Sequence, residues 1–329
     1  MKMLKASLAI GLAIGCLWWV SLGIDWNQCW QLIRNAQGMW ITVAVVCMMV
    51  SLAVRSIRWH RVFLWVAPEA TPMDTLRPLY VGYLFNNMLP GKLGEIAKLV
   101  LISRFTGVKA VKSTVAIAMD RVVDGLGLAI VMGVALVMTP STPPVIMGAW
   151  MAGFGLFGGV AIMAAVVSRS HRLTTVLVRL SYRYPALSKF ADLESGRTEW
   201  VKMQTVPRML TILGLSILNW ITEGGVFWAV QHALALPGSE WMGILVMGVV
   251  SFGGILLSTP GGVGAHEYLV TVAFGPLGVP ASPAFAVALI THLILLIPAA
   301  LMGLVSVITI GWTSVTQTIH SVDSASHDR

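Results

Sequence analysis

The chain has 329 residues, 57% of them apolar and only 11% charged, with a mean hydropathy of +0.81. Soluble domains carry about 25% charged residues, so a disordered chain, a disulfide-stapled secreted domain and an ordinary cytosolic enzyme are excluded. The net charge of +8 does not mark a nucleic-acid binder, because 21 of the 22 Lys and Arg lie in residues 1–208 and none lies between 209 and 328; basic residues beside apolar spans mark a cytoplasmic face instead.

Long uncharged runs (Ala6–Ile24, Gly38–Val54, Gly125–Ser168, Trp241–His266 and Tyr268–Val322) read as membrane helices, since roughly 20 apolar residues span a bilayer. The fold class is an all-α polytopic membrane protein with about six full spans and two broken-helix or re-entrant hairpins. The chain reads as one transmembrane domain. Its first half covers 1–168, a cytoplasmic linker covers 169–208, the second half covers 209–311, and 312–329 is a mobile polar tail.

In chain order, residues 4–24 form a signal anchor that stays as the first helix, behind Lys2 and Lys5. Its apolar run continues past Cys16, beyond the ~7–15 residues of a signal peptide. Cys16, Cys29 and Cys47 make neither a disulfide framework nor a metal motif. The second helix covers 38–65 and ends with Arg55, Arg58 and Arg61, read as an anchor at the headgroup level. Pro78–Gly91 is too short to span and is broken at Pro90-Gly91, which predicts a hairpin. Residues 110–138 and 145–168 span. In 169–208, Leu173, Val176, Leu177 and Leu180 follow helical spacing with arginines off the stripe, which predicts an amphipathic surface helix. Residues 209–233 span with Glu223 embedded, 241–275 is broken at Thr259–Gly262, and 281–311 is the last span.

Basic residues place the N-terminus, 55–77, 92–112 and 169–208 on the cytoplasmic side of an inner membrane. Both broken segments then return to the side they left, from opposite faces. They also resemble each other: Pro90, Gly91, Gly94 and Glu95 against Pro260, Gly261, Gly262, Gly264 and Glu267. Paired broken helices in inverted halves point to a transport site, because unpaired backbone groups at membrane depth are tolerated only where they line a cavity or meet a polar ligand.

Candidate chemistry gathers near these breaks. Lys92, Glu95 and Lys98 recur every three residues after Pro90-Gly91, at a helix start that favours anions. Asp120 and Asp124 share a helix face, and Arg121 is spaced to pair with Asp124. A self-neutral triad is one reading of that trio; Arg121 holding a lipid phosphate, oriented by the two acids, is the other. Glu267 follows His266, but Val270 stands where a zinc-protease motif needs histidine, so no metal is expected. Glu267 reads as a buried acid able to carry a proton. Glu223, one turn after Asn219, is a packing acid or part of a relay, and His232 and His292 are core or interface histidines. No nucleotide loop or nucleophile elbow is present, and no cofactor is expected.

Asn86-Asn87-Met88-Leu89-Pro90-Gly91-Lys92-Leu93-Gly94-Glu95, then Asp120-Arg121-Val122-Val123-Asp124, then Pro260-Gly261-Gly262-Val263-Gly264-Ala265-His266-Glu267 together resemble the transmembrane region of the lysylphosphatidylglycerol synthase/flippase family. The resemblance covers roughly residues 5–315. The family pattern has Arg at Lys92, Glu at Asp120 and often Arg near His292, so the last position loses a fixed cation. No aminoacyl-transfer domain follows, so lysyl transfer is not expected. The resemblance implies a flippase-like transporter of an anionic phospho- or polyprenyl-linked lipid, not an enzyme. Lys92, Arg121 and Lys98 would bind the headgroup, and Glu95, Asp120, Asp124, Glu223 and Glu267 would gate or couple to protons. The alternatives are a membrane-embedded lipid-modifying enzyme and a scaffold of a lipid-synthesis complex. Expected partners are membrane lipids, lipid-biosynthesis proteins and further copies of the chain.

Overall fold

The computed structural model describes residues 2–88, 93–139, 141–170, 198, 200–257 and 259–311. Among them every regular element is helical. In chain order these are α1 (Lys2–Ser21), α2 (Trp26–Arg34), α3 (Gly38–Phe63), α4 (Pro72–Met88), α5 (Leu93–Thr106), α6 (Ala110–Val137), α7 (Pro144–Arg169), α8 (Val206–Ala233), α9 (Met242–Leu256), α10 (Ala265–Phe274) and α11 (Ala281–Ile310). By length and composition α3, α7, α8 and α11 can each cross a membrane, and α1 with α2, bent by 93°, makes a fifth candidate. The protein is a multi-pass membrane protein.

The predicted breaks are real. Helices α9 and α10 are separated by a turn near residue 260, and α4 is followed by α5 in a hairpin. Its arms are antiparallel: a Cβ on Gly82 would meet the Gly94 carbonyl at 3.0 Å and the Lys98 side chain at 3.1 Å, whereas Asn86 lies against Gly94. Only two glycines let these backbones approach so closely. In the second hairpin the turn runs through Gly261, Gly262 and Gly264, with φ of 61°, 76° and 80°. A side chain is strained at such angles, so glycine is what the turn requires. The C-terminal end of α4 meets the second turn, since a Cβ on Gly261 would lie 2.9 Å from the Asn87 carbonyl oxygen. Pro90, Gly91 and Lys92, the amphipathic stripe of 173–180 and the tail from 312 lie outside the described residues.

Helix α8 is the hub, packed on α3, α6, α9 and α11. Two ends of the bundle are defined by side-chain and backbone contacts. At one end the Gln37 amide donates to the Ala233 carbonyl at 2.9 Å and the Asp25 amide to Ser282 at 2.8 Å. At the other, Arg208 lies over Trp65 at 5.5 Å and Trp59 donates to the Thr75 carbonyl at 2.8 Å. Basic segments therefore collect at one end. Helix α7 carries Phe154, Leu156, Ile162 and Met163 on its exposed surface, which suits lipid contact.

α2 was not anticipated. It is only nine residues long, too short for hydropathy to register. Asp25 caps it by accepting from the Asn27 and Gln28 amides. Cys29 faces inward while Trp26 and Trp30 are exposed, an amphipathic pattern suited to a membrane interface.

Candidate functional site

The charged residues of the apolar helices converge. Arg58 on α3, with its side chain 2% exposed, donates to Asp120 at 2.9 Å, to Asp124 and to Ser216 at 2.9 Å. One turn earlier Arg55 binds Glu223 on α8 at 2.5 Å. Glu223 also accepts from Ser51 at 3.3 Å, and Asn219 accepts from Ser51 at 2.9 Å and from the Arg55 Nε at 3.4 Å. On the far side Glu95 holds both Lys98 and Arg121, each at 2.6 Å. Four cations thus face four carboxylates. Pairing is what makes such charge tolerable at membrane depth, where a lone ionised group costs at least ~2.5–3.5 kcal/mol.

Two readings from the sequence are corrected. Arg55 and Arg58 are not headgroup anchors: they turn inward because acids on α6 and α8 wait there, and only pairing offsets their burial. Arg121 does not close a triad with Asp124. Arg58 occupies that face of α6, and Arg121, one position on from Asp120, projects about 100° away to Glu95. The missed signal was arithmetic: four embedded acids needed more cations than Lys92, Lys98 and Arg121, and α3 held them.

Of the candidate residues, Lys98 is fully enclosed, 1% exposed, with its ammonium 4.5 Å from the centre of the Trp59 ring. Arg121, with a side-chain exposure of 46%, is the most exposed of the four cations. Asp120 and Asp124 are buried.

A second cluster sits at the other turn. Glu267, in the first turn of α10, accepts from the Gly264 amide at 2.7 Å and meets His292 Nδ1 at 2.5 Å. His292 Nε2 meets the Gly261 carbonyl at 2.8 Å. A neutral imidazole has one N–H, yet both its nitrogens face oxygens. Only a protonated imidazole donates to both at once, tying Glu267 to the Gly261 carbonyl. His266 stacks on His292 with ring centres 4.7 Å apart and bonds Thr291 at 3.0 Å.

Beside the first cluster lies a cavity of about 160 Å3, lined by the apolar Met48, Leu52, Leu295 and Ala299 and by the polar or charged Arg55, Tyr83, Asn86, Asn87 and Glu223. Its mixed lining suits a ligand with an apolar and a polar part. Buried Asn86 Oδ1 and Asn219 Nδ2 have no partner among the described residues. No group of three or more potential metal ligands occurs among the described residues.

No curated protein and no solved structure gave a significant match to the chain. The profile of one family, described as the lysylphosphatidylglycerol synthase TM region, matches residues 6–303.

Proposed function

The chain belongs to the lysylphosphatidylglycerol synthase TM region family, a membrane family with a lipid-related role, and from that premise we propose that it is a flippase-like transporter of an anionic phospho- or polyprenyl-linked lipid. The carrying observation is the meeting of the end of α4 with the second turn, Asn87 against Gly261, beside a cavity of mixed lining and a buried ion network. On this reading the hairpins are an inverted repeat entering from opposite faces. Helices α1 and α6 complete six spans, since the acids of α6 are neutralised by Arg58 and do not bar it from the bilayer. The end gathering Trp65 and Arg208 is cytoplasmic in an inner membrane. Lys92 and Arg121 draw the phosphate toward the cavity, Glu95 stays bound to Arg121 and Lys98, and Glu267 with His292 holds the second turn closed.

The chemistry asked of the protein is binding and movement, with no bond of the lipid broken, so the reading is of a transporter and not an enzyme. Translocation of fluorescent phospholipid and polyprenyl-phosphate probes in proteoliposomes tests it. Wild type is compared with Lys92→Ala, Arg121→Ala and Glu267→Gln, each checked for folding. Movement by wild type and its loss in the folded variants is expected. No movement of any probe by wild type, with or without a pH gradient, would overturn it.

A further inference from the structure

On the transporter reading an anionic group must enter the cavity, yet the cavity borders a network with no surplus cation among the described residues. Four carboxylates already occupy its four cations. An anion added to a neutral, poorly solvated cluster gains a partner only where a carboxylate gives one up. Glu223 is the acid placed to do so. Glu95 is tied to two cations, and Asp120 and Asp124 are buried with Arg58. Glu223 and Arg55 both line the cavity and have each other as ion-pair partner, at 2.5 Å.

We propose, resting on that reading, that Arg55 is the anion-binding residue of the cavity, and that a phosphate-bearing ligand binds by displacing Glu223 from it while Glu223 takes up a proton. The guanidinium fork suits a phosphate as well as a carboxylate. The cavity of about 160 Å3 corresponds to roughly five waters at ~30 Å3 each, which admits a phosphate-sized group and not a whole lipid. Charge balances: a phosphodiester brings one negative charge, the proton from water on the Glu223 carboxyl cancels one, and no covalent bond of the ligand changes. Displaced Glu223 keeps Ser51 within reach, at 3.3 Å. One turn before it on α8, the Asn219 Nδ2 group is a buried donor without a partner among the described residues.

The groups facing Glu223 favour this exchange. α3 presents Arg55, with Arg58 a turn beyond, α4 presents Tyr83, whose ring lies 5.9 Å from the Arg55 guanidinium, and α6 presents Asp124. α9 carries no ionisable residue, and on α11 the only one is His292, already bonded to Glu267. Once Arg55 turns to the ligand, the nearby Asp124 charge and the new anion both press Glu223 toward its neutral form.

Calorimetric titration of the full chain in nanodiscs, in buffers of different ionisation enthalpy, reads protons taken up per ligand bound. The probes are dihexanoyl phosphatidylglycerol and inorganic phosphate. Wild type is expected to take up about one proton per phosphatidylglycerol bound, by linkage. Glu223→Gln should bind at least as tightly with no uptake. Arg55→Gln combined with Glu223→Gln keeps the network neutral, so it is expected to fold, and should bind about tenfold or more weakly, as for loss of one charge-assisted contact. Binding of the lipid alone supports a headgroup site, and binding of both probes supports a general oxyanion site. Absence of binding by folded wild type, uptake that persists in Glu223→Gln, or unweakened binding by the double variant overturns the proposal. Proton-linked binding without movement in proteoliposomes overturns the transporter reading and leaves the exchange standing; movement without Glu223-dependent uptake does the reverse.

Discussion

Asp120 and Asp124 lie one helical turn apart and share Arg58. Removing one partner of a buried pair leaves the other charge uncompensated, at about 3–5 kcal/mol. Arg58→Met is therefore expected to lower the thermal unfolding midpoint of the purified protein sharply. Adding Asp120→Asn and Asp124→Asn should recover most of that loss, because the unpaired charges are gone. At the second turn His292 needs a second proton to hold Glu267 and Gly261 at once. Both contacts are made together while the imidazole is protonated, and one of them is given up as pH rises through its titration. His292→Arg should keep transport while flattening its dependence on rising pH, and His292→Gln should lose it across the range, both read by probe translocation. The acids at these places were legible in the sequence because charge is rare in an apolar chain. Their partners were not: Arg58 lies 62 residues from Asp120, and an arginine at a helix end reads equally well as a headgroup anchor.

At the scale of elements, the hairpin α4–α5 depends on backbone contact. A Cβ on Gly94 would fall 2.0 Å from the Gly82 carbonyl oxygen, so Gly94→Ala must spread the arms, at about 1–3 kcal/mol. Gly155 on α7 has nothing within 4 Å of a built Cβ, and Gly155→Ala is expected to stabilise by about 0.5–1 kcal/mol through helix propensity. Thermal unfolding of both variants checks the contrast. The breaks at 90 and 260 were readable because Pro and Gly interrupt helices locally. Their packing was not, because the contact between Gly82 and Gly94 involves no side chain whose hydropathy could announce it. Helix α2 escaped notice for a related reason: its amphipathic signal spans barely two turns.

At the scale of the molecule, the topology predicts opposite exposure of two segments. With the native cysteines replaced by alanine, Ser188→Cys in the linker should react with an impermeant maleimide only from the cytoplasmic side. Pro237→Cys, in the loop between α8 and α9, should react only from the outer side. Labelling of both from one side would overturn the opposed entry of the hairpins. The end-to-end contacts agree with this arrangement, since Gln37 meets Ala233 while Trp65 meets Arg208.

Hydropathy, helix breakers and the distribution of Lys and Arg determined by themselves that this is a helical membrane protein with two interrupted segments, because each of those signals is local and additive along the chain. Only the tertiary structure decided which cation meets which carboxylate, that the end of α4 touches the second turn, and that Arg55 and Glu223 share a cavity wall. Opposite charges are interchangeable partners in a sequence, and only the packing of α3 against α6 and α8 removes that degeneracy.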